Sequence, residues 1–146
     1  MSYPLFLTLH LFAALVFIGT VFFEVLFLES IRKQLPAKVM VLLEQGISRR
    51  ARQLMPWVLL VLFGAGGAMV WLRYWPVLSS LQSSFGVLLG LKILLAGSVL
   101  GHFLWAMWLF KSERMNARYV HIIHTSVFLH MVAIVLLAKA MFYVTW

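Results

Sequence analysis

Residues 4–28 read PLFLTLHLFAALVFIGTVFFEVLFL, an apolar stretch interrupted by His10 and Glu24. About 18 to 20 apolar residues suffice to cross a bilayer as a helix. The stretch meets that length, so the reading of the chain begins in the membrane. Residues 54–72, 85–110 and 119–146 repeat the pattern. Together they predict helices over about residues 4–28, 54–74, 85–110 and 118–144. Of 146 residues 64% are hydrophobic, and the mean hydropathy is +1.00. One transmembrane domain, residues 1–146, is expected, with no room for a separate soluble one. The first run lacks a basic leader and a small-residue cleavage site, so it is read as a retained helix.

Charge placement supplies an orientation. The connection over residues 29–53 carries Arg32, Lys33, Lys38, Arg49, Arg50 and Arg52, and the one after the third helix carries Lys111, Arg114 and Arg118. The second connection offers Arg73 alone, and the N-terminal stub has no Lys or Arg. Positively charged loops stay in the cytoplasm. The expectation is a multi-pass protein of a bacterial-type inner membrane, N-out and C-out, with both termini on the periplasmic side. The net charge of +8 reflects that topology and suits anionic lipid headgroups or carboxylated ligands. A nucleic-acid partner is excluded as a reading, because the basic residues sit close to helix ends. The absence of cysteine removes disulfides, thiolate metal sites and covalent c-type haem.

Residues 38–52, with Val39, Leu42, Leu43 and Ile47, predict a short amphipathic interfacial helix between the first two spans, after an interruption at Pro36. Pro56 falls just inside the second span, and residues 74–84 are expected to form the outer loop. Short connections between successive spans predict an all-α, up-down four-helix bundle. Gly86, Gly90, Gly97 and Gly101 share one face of the third helix. Small-residue seams let helix backbones approach closely, which suits a homo-oligomer or a partner membrane subunit. Gly64, Gly66 and Gly67 thin the second helix, and glycines there could also make room for a flat macrocycle.

Ionisable groups at membrane depth are costly unless they face the protein interior, find partners or hold a cofactor. His10 lies roughly 9 Å inside the outer end of its helix. Phe17, Val21 and Glu24 follow it along the same face, so Glu24 also points inward and is expected to pair with Arg49, Arg50 or Arg52. Met69 and Lys92 lie at nearly the same outer level, which makes His10 and Met69 suitable axial ligands for a b-type haem. Farther in, His102, His124 and His130 offer further imidazoles for iron. The pairings considered are His102 with His124 and His10 with His130. A plain alternative stands beside each: interhelical hydrogen bonding for the histidines, packing for Met69, an interfacial position for His121 and snorkelling for Lys139. The Arg49, Arg50 and Arg52 cluster suits porphyrin propionates or, more commonly, lipid phosphates.

Taken together, His10, the pair Arg49–Arg50, the dipeptide Met55–Pro56, Lys92 within LKILL, and His102 ten residues later resemble HemJ-type protoporphyrinogen oxidases and related CopD-like membrane proteins. The resemblance implies a four-helix membrane protein holding haem b, with His10 as an axial ligand and Lys92 near the haem or substrate. HemJ-type members oxidise protoporphyrinogen IX; CopD-like members are linked to copper handling. Phe17 and Glu24 depart from the pattern late in the first helix. His121, His124 and His130 are additional to it and favour electron transfer with one haem or two. Three readings follow. The first is a haem-dependent oxidoreductase taking electrons from a tetrapyrrole or quinol, with Lys92 and Glu24 acting at the substrate. The second is a copper or other metal transporter using His and Met ligands. The third is a non-catalytic membrane subunit whose histidines are polar contacts.

Overall fold

The structure is a computed structural model that describes residues 2–146. It is all-helical, with no strand among the described residues. The elements are α1 (Ser2–Phe23), a wide π turn (Glu24–Leu28), α2 (Glu29–Arg32), α3 (Ala37–Met69), a second π turn (Val70–Tyr74), α4 (Trp75–Ser80), α5 (Ser84–Lys111) and α6 (Ala117–Tyr143). Among the described residues four helical stretches are long and apolar enough to cross a membrane: Ser2–Arg32, Ala37–Ser80, Ser84–Lys111 and Ala117–Tyr143. Length and composition therefore mark a multi-pass membrane protein. The chain divides into two compact units, Met1–Gly66 and Gly67–Trp146, and the boundary falls in the last turn of α3.

In the first unit α1 and α3 are joined by a tight reversal. The Leu35 amide closes onto the Ile31 carbonyl at 3.2 Å, and the Pro36 carbonyl accepts from Val39 and Met40 at 3.0 and 3.1 Å. Pro36 thus ends one helix and opens the next, as its fixed φ and missing donor favour. Arg32 secures the reversal, reaching Glu29 at 3.3 Å and Glu44 at 2.7 Å. Ala13, Phe17, Val21 and Leu28 are the buried apolar residues of the first helical stretch. Their spacings of four, four and seven keep them on one face.

Two features differ from the sequence-based expectation. Residues 38–52 do not form a separate helix; α3 runs through them and through Pro56 without a break. A proline inside a membrane helix is tolerated when neighbouring groups re-satisfy the freed carbonyl. Residues 74–80 are helical, and the connection shortens to residues 81–83. Pro76 lies in the first turn of α4, directly after the π turn. There the widened turn relieves the ring-to-carbonyl clash that would otherwise end the helix. Ser79 and Ser80 bond back to the Pro76 and Val77 carbonyls, and Leu81 then stops the helix in the left-handed region at φ 49°.

In the second unit α5 and α6 lie antiparallel, in one register from end to end. Phe85 meets Phe142 edge-on at 5.5 Å, Trp105 meets Tyr119 at 5.7 Å, and Ser98 bonds His130 between them. Ser83 and Asn116 cap the two helices by accepting from the Gly86 and Tyr119 amides. The glycine seam divides. A Cβ on Gly86 would stand 2.6 Å from the Val77 carbonyl, and one on Gly90 would touch Leu78 and Leu81, so these two admit α4. A Cβ on Gly97 or Gly101 would meet nothing within 4 Å.

Candidate functional site

Within the first unit His10 is half-buried, and its Nδ1 lies 2.8 Å from the Leu62 carbonyl on α3. A carbonyl can only accept, so Nδ1 carries the proton of this bond. The ring rests on Gly66, one turn beyond Leu62: a Cβ there would stand 3.1 Å from both Cε1 and Nδ1 of His10. Leu62 and Gly66 therefore act as one device, the first fixing the tautomer and the second giving the ring its seat. Metal-ligating histidines are commonly oriented in this way, by donating the other ring N–H to a carbonyl.

Arg49 and Arg50 are exposed on α3. They precede Leu62 by 13 and 12 residues, about 18 to 20 Å along the helix axis, so neither shares the level at which His10 docks. Glu24 is half-buried where the first π turn opens.

The second unit contains a side-chain cluster built from serine and histidine. His102 and His130 each direct Nδ1 to the carbonyl one turn earlier on their own helix, Ser98 at 2.8 Å and Ser126 at 2.7 Å. Each Nε2 crosses to the other helix, where His102 meets the Ser126 hydroxyl at 2.9 Å and His130 meets the Ser98 hydroxyl at 3.0 Å. With the ring protons on Nδ1, the hydroxyls donate. The four residues close a head-to-tail ring in which every ring nitrogen is satisfied. The imidazole centroids are 5.3 Å apart and tilted by 60°. Ser98 is 14 residues from the start of α5 and 13 from its end. His130 is 13 from either end of α6, which puts the Ser98–His130 bond about 20 Å from all four helix termini.

The arrangement pairs His102 with His130, whereas the sequence had suggested His124 as the partner of His102. His124 is half-buried and His121 exposed on α6. His130 is turned roughly 120° from His124 at 100° per residue. Both Nε2 atoms face hydroxyls across the helix pair. Each serine–histidine contact has the distance of a nucleophile–base dyad. Within continuous helices, however, the backbone N–H groups are already committed, and acyl transfer would lack its oxyanion donors. Met69 is buried in the last turn of α3. Lys92 is half-buried on α5, eight residues from its start. Lys139 is exposed near the end of α6. Among the described residues no three of His, Asp or Glu converge as a metal site; a haem iron needs one or two protein ligands.

Sequence reasoning missed Ser98 and Ser126. The signal was present: residues 98–102 read SVLGH and residues 126–130 read SVFLH, the same serine-to-histidine spacing on two successive helices. It also missed Leu62, which contributes only a carbonyl, and the Arg32–Glu44 pair. No protein-family model, curated protein or solved structure matches the chain.

Proposed function

We propose that this multi-pass membrane protein binds haem b and transfers electrons, with His10 as an axial ligand. The observation that carries the reading is the Nδ1–H bond from His10 to the Leu62 carbonyl over the Gly66 seat. His10 would hold iron through Nε2, with its ring orientation and basicity set by that bond. Haem b, when bound, supplies one-electron redox chemistry whose potential follows the axial ligands and the surrounding polarity. The resemblance to HemJ-type and CopD-like proteins supports a tetrapyrrole or a quinol as the reductant. The distribution of Lys and Arg supports an up-down bundle in a bacterial-type inner membrane with both termini on the periplasmic side.

A second reading, a non-catalytic membrane subunit, is favoured by the serine–histidine ring, whose hydrogen bonds are complete without a cofactor. The absorption spectrum of detergent-purified protein from haem-replete cells separates the two. A Soret band with sharp reduced α and β bands is expected. Protein free of porphyrin would favour the subunit reading, and copper without porphyrin would favour a CopD-like transporter.

A further inference from the structure

The hydrogen bonds of the serine–histidine ring tolerate a change of charge. The Nδ1–H groups of His102 and His130 donate to the Ser98 and Ser126 carbonyls, and such bonds strengthen when the imidazole becomes a cation. The Nε2 partners are hydroxyls, Ser126 for His102 and Ser98 for His130. A hydroxyl can donate to a neutral Nε2 and accept from a protonated one. A carbonyl or an ammonium in that place would suit one state alone. When a proton binds Nε2 of His130, the Ser98 hydroxyl becomes the acceptor, and its own proton can turn to the carbonyl one turn earlier, that of Leu94. Ser126 has the same recourse at Ile122 when the proton binds His102. Thr8 and Thr20 already bond back to a carbonyl in this way, each at 2.8 Å. The ring can therefore take up a proton and keep all four of its hydrogen bonds.

The surroundings within this unit neither pin the charge nor duplicate it. Glu113 is the one acid in residues 67–146, and it lies beyond the end of α5. On α6, His124 is six residues from His130 and turned from it by roughly 120°, and Tyr119 lies two turns from Ser126 on the same face. His121 and Lys139 are exposed on α6. On α5, Lys92 is six residues from Ser98, about 9 Å along the axis, and Lys111 closes the helix. The α4 helix, which meets α5 at Gly86 and Gly90, has no ionisable side chain. Arg73 and Tyr74 precede it in the π turn, where Tyr74 meets Phe85. The two imidazole centroids are 5.3 Å apart, so a second proton would be held much less tightly than the first.

We propose that the ring of Ser98, His102, Ser126 and His130 is a proton-binding site inside the membrane-spanning helices, with a capacity of one proton. Histidines within membrane bundles are suited to proton transfer, and here the serine hydroxyls supply the reversible partner. The proposal is independent of haem at His10. It is tested by nitrogen-15 NMR of the full-length protein in micelles, labelled at histidine and titrated from pH 8 to pH 4.5. Loss of a signal in His102→Asn or His130→Asn assigns the two rings. At pH 8 both should carry their proton on Nδ1 alone. On acidification one of the two should gain a proton on Nε2 while the other stays neutral. Ser98→Ala should make His130 hold that proton about tenfold less tightly, the difference between a charge-assisted and a neutral hydrogen bond. Ser98→Thr, which keeps the hydroxyl, should restore it. Two rings that stay neutral to pH 4.5 in folded protein would overturn the proposal, as would two rings that charge together. An unchanged titration in folded Ser98→Ala would also overturn it. Circular dichroism checks each variant for fold, and the wild-type and Ser98→Thr titrations carry the test if Ser98→Ala is unfolded.

Discussion

Replacing Ser98 with alanine removes a hydroxyl that lies 3.0 Å from His130 Nε2 and leaves the Ser98 carbonyl, the acceptor for His102 Nδ1, in place. The substitution therefore cuts the ring at one bond. An unmet acceptor on a part-buried ring costs about 1–3 kcal/mol. Much of that single-variant effect reports solvation and not the contact itself. The contact is isolated by a double-mutant cycle of Ser98→Ala with His130→Ala. Interhelical hydrogen bonds in membrane proteins give coupling energies averaging about 0.6 kcal/mol, with a maximum near 1.7. The position of this bond, about 20 Å from every helix end, argues for the upper part of that range. The assay is reversible unfolding in mixed detergent micelles followed by far-UV circular dichroism. The control cycle pairs Ser98→Ala with His102→Ala, residues one turn apart on α5 whose link runs through the backbone. It should show markedly weaker coupling, because alanine keeps that carbonyl. Zero coupling for Ser98 and His130, or equal coupling in both cycles, would refute the cross-helix assignment.

Four further outcomes follow from the structure. Gly86→Ala puts a Cβ 2.6 Å from the Val77 carbonyl and should destabilise by about 1–3 kcal/mol. Gly97→Ala, facing open space, should be neutral or stabilising by up to about 1 kcal/mol; equal losses in thermal melts would show that the outer seam is covered by another chain. Gly66→Ala crowds the His10 ring at 3.1 Å and should weaken haem retention about tenfold, as loss of an orienting contact does, measured by transfer of haem to an acceptor protein. Arg32→Gln removes ion pairs to Glu29 and Glu44 that are 36–43% exposed, so the change should stay under about 1 kcal/mol and shrink further in high salt.

The helices were legible because hydropathy over 18 or more residues is a long, redundant signal. Helix ends were less so. Residues 74–80 contain Pro76 and paired serines, which read as a loop, yet a π turn absorbs the proline and the helix goes on. The turn depends on local backbone accommodation that residue types do not announce. At the candidate site the ionisable side chains stood out against their apolar surroundings, while the partners that orient them did not. His10 depends on a leucine carbonyl and a glycine. His102 and His130 find each other through serines, and the choice of His130 over His124 turns on rotation about α6, a matter of register and not composition.

The most direct test is the reduced-minus-oxidised spectrum of the purified protein beside those of His10→Ala and His130→Ala, each checked for helicity and monodispersity. Sharp α and β bands are predicted in the wild type and in His130→Ala, and their loss in His10→Ala. Undiminished bands in His10→Ala, or a folded wild type that takes up no haem, would contradict the assignment of His10 as an iron ligand.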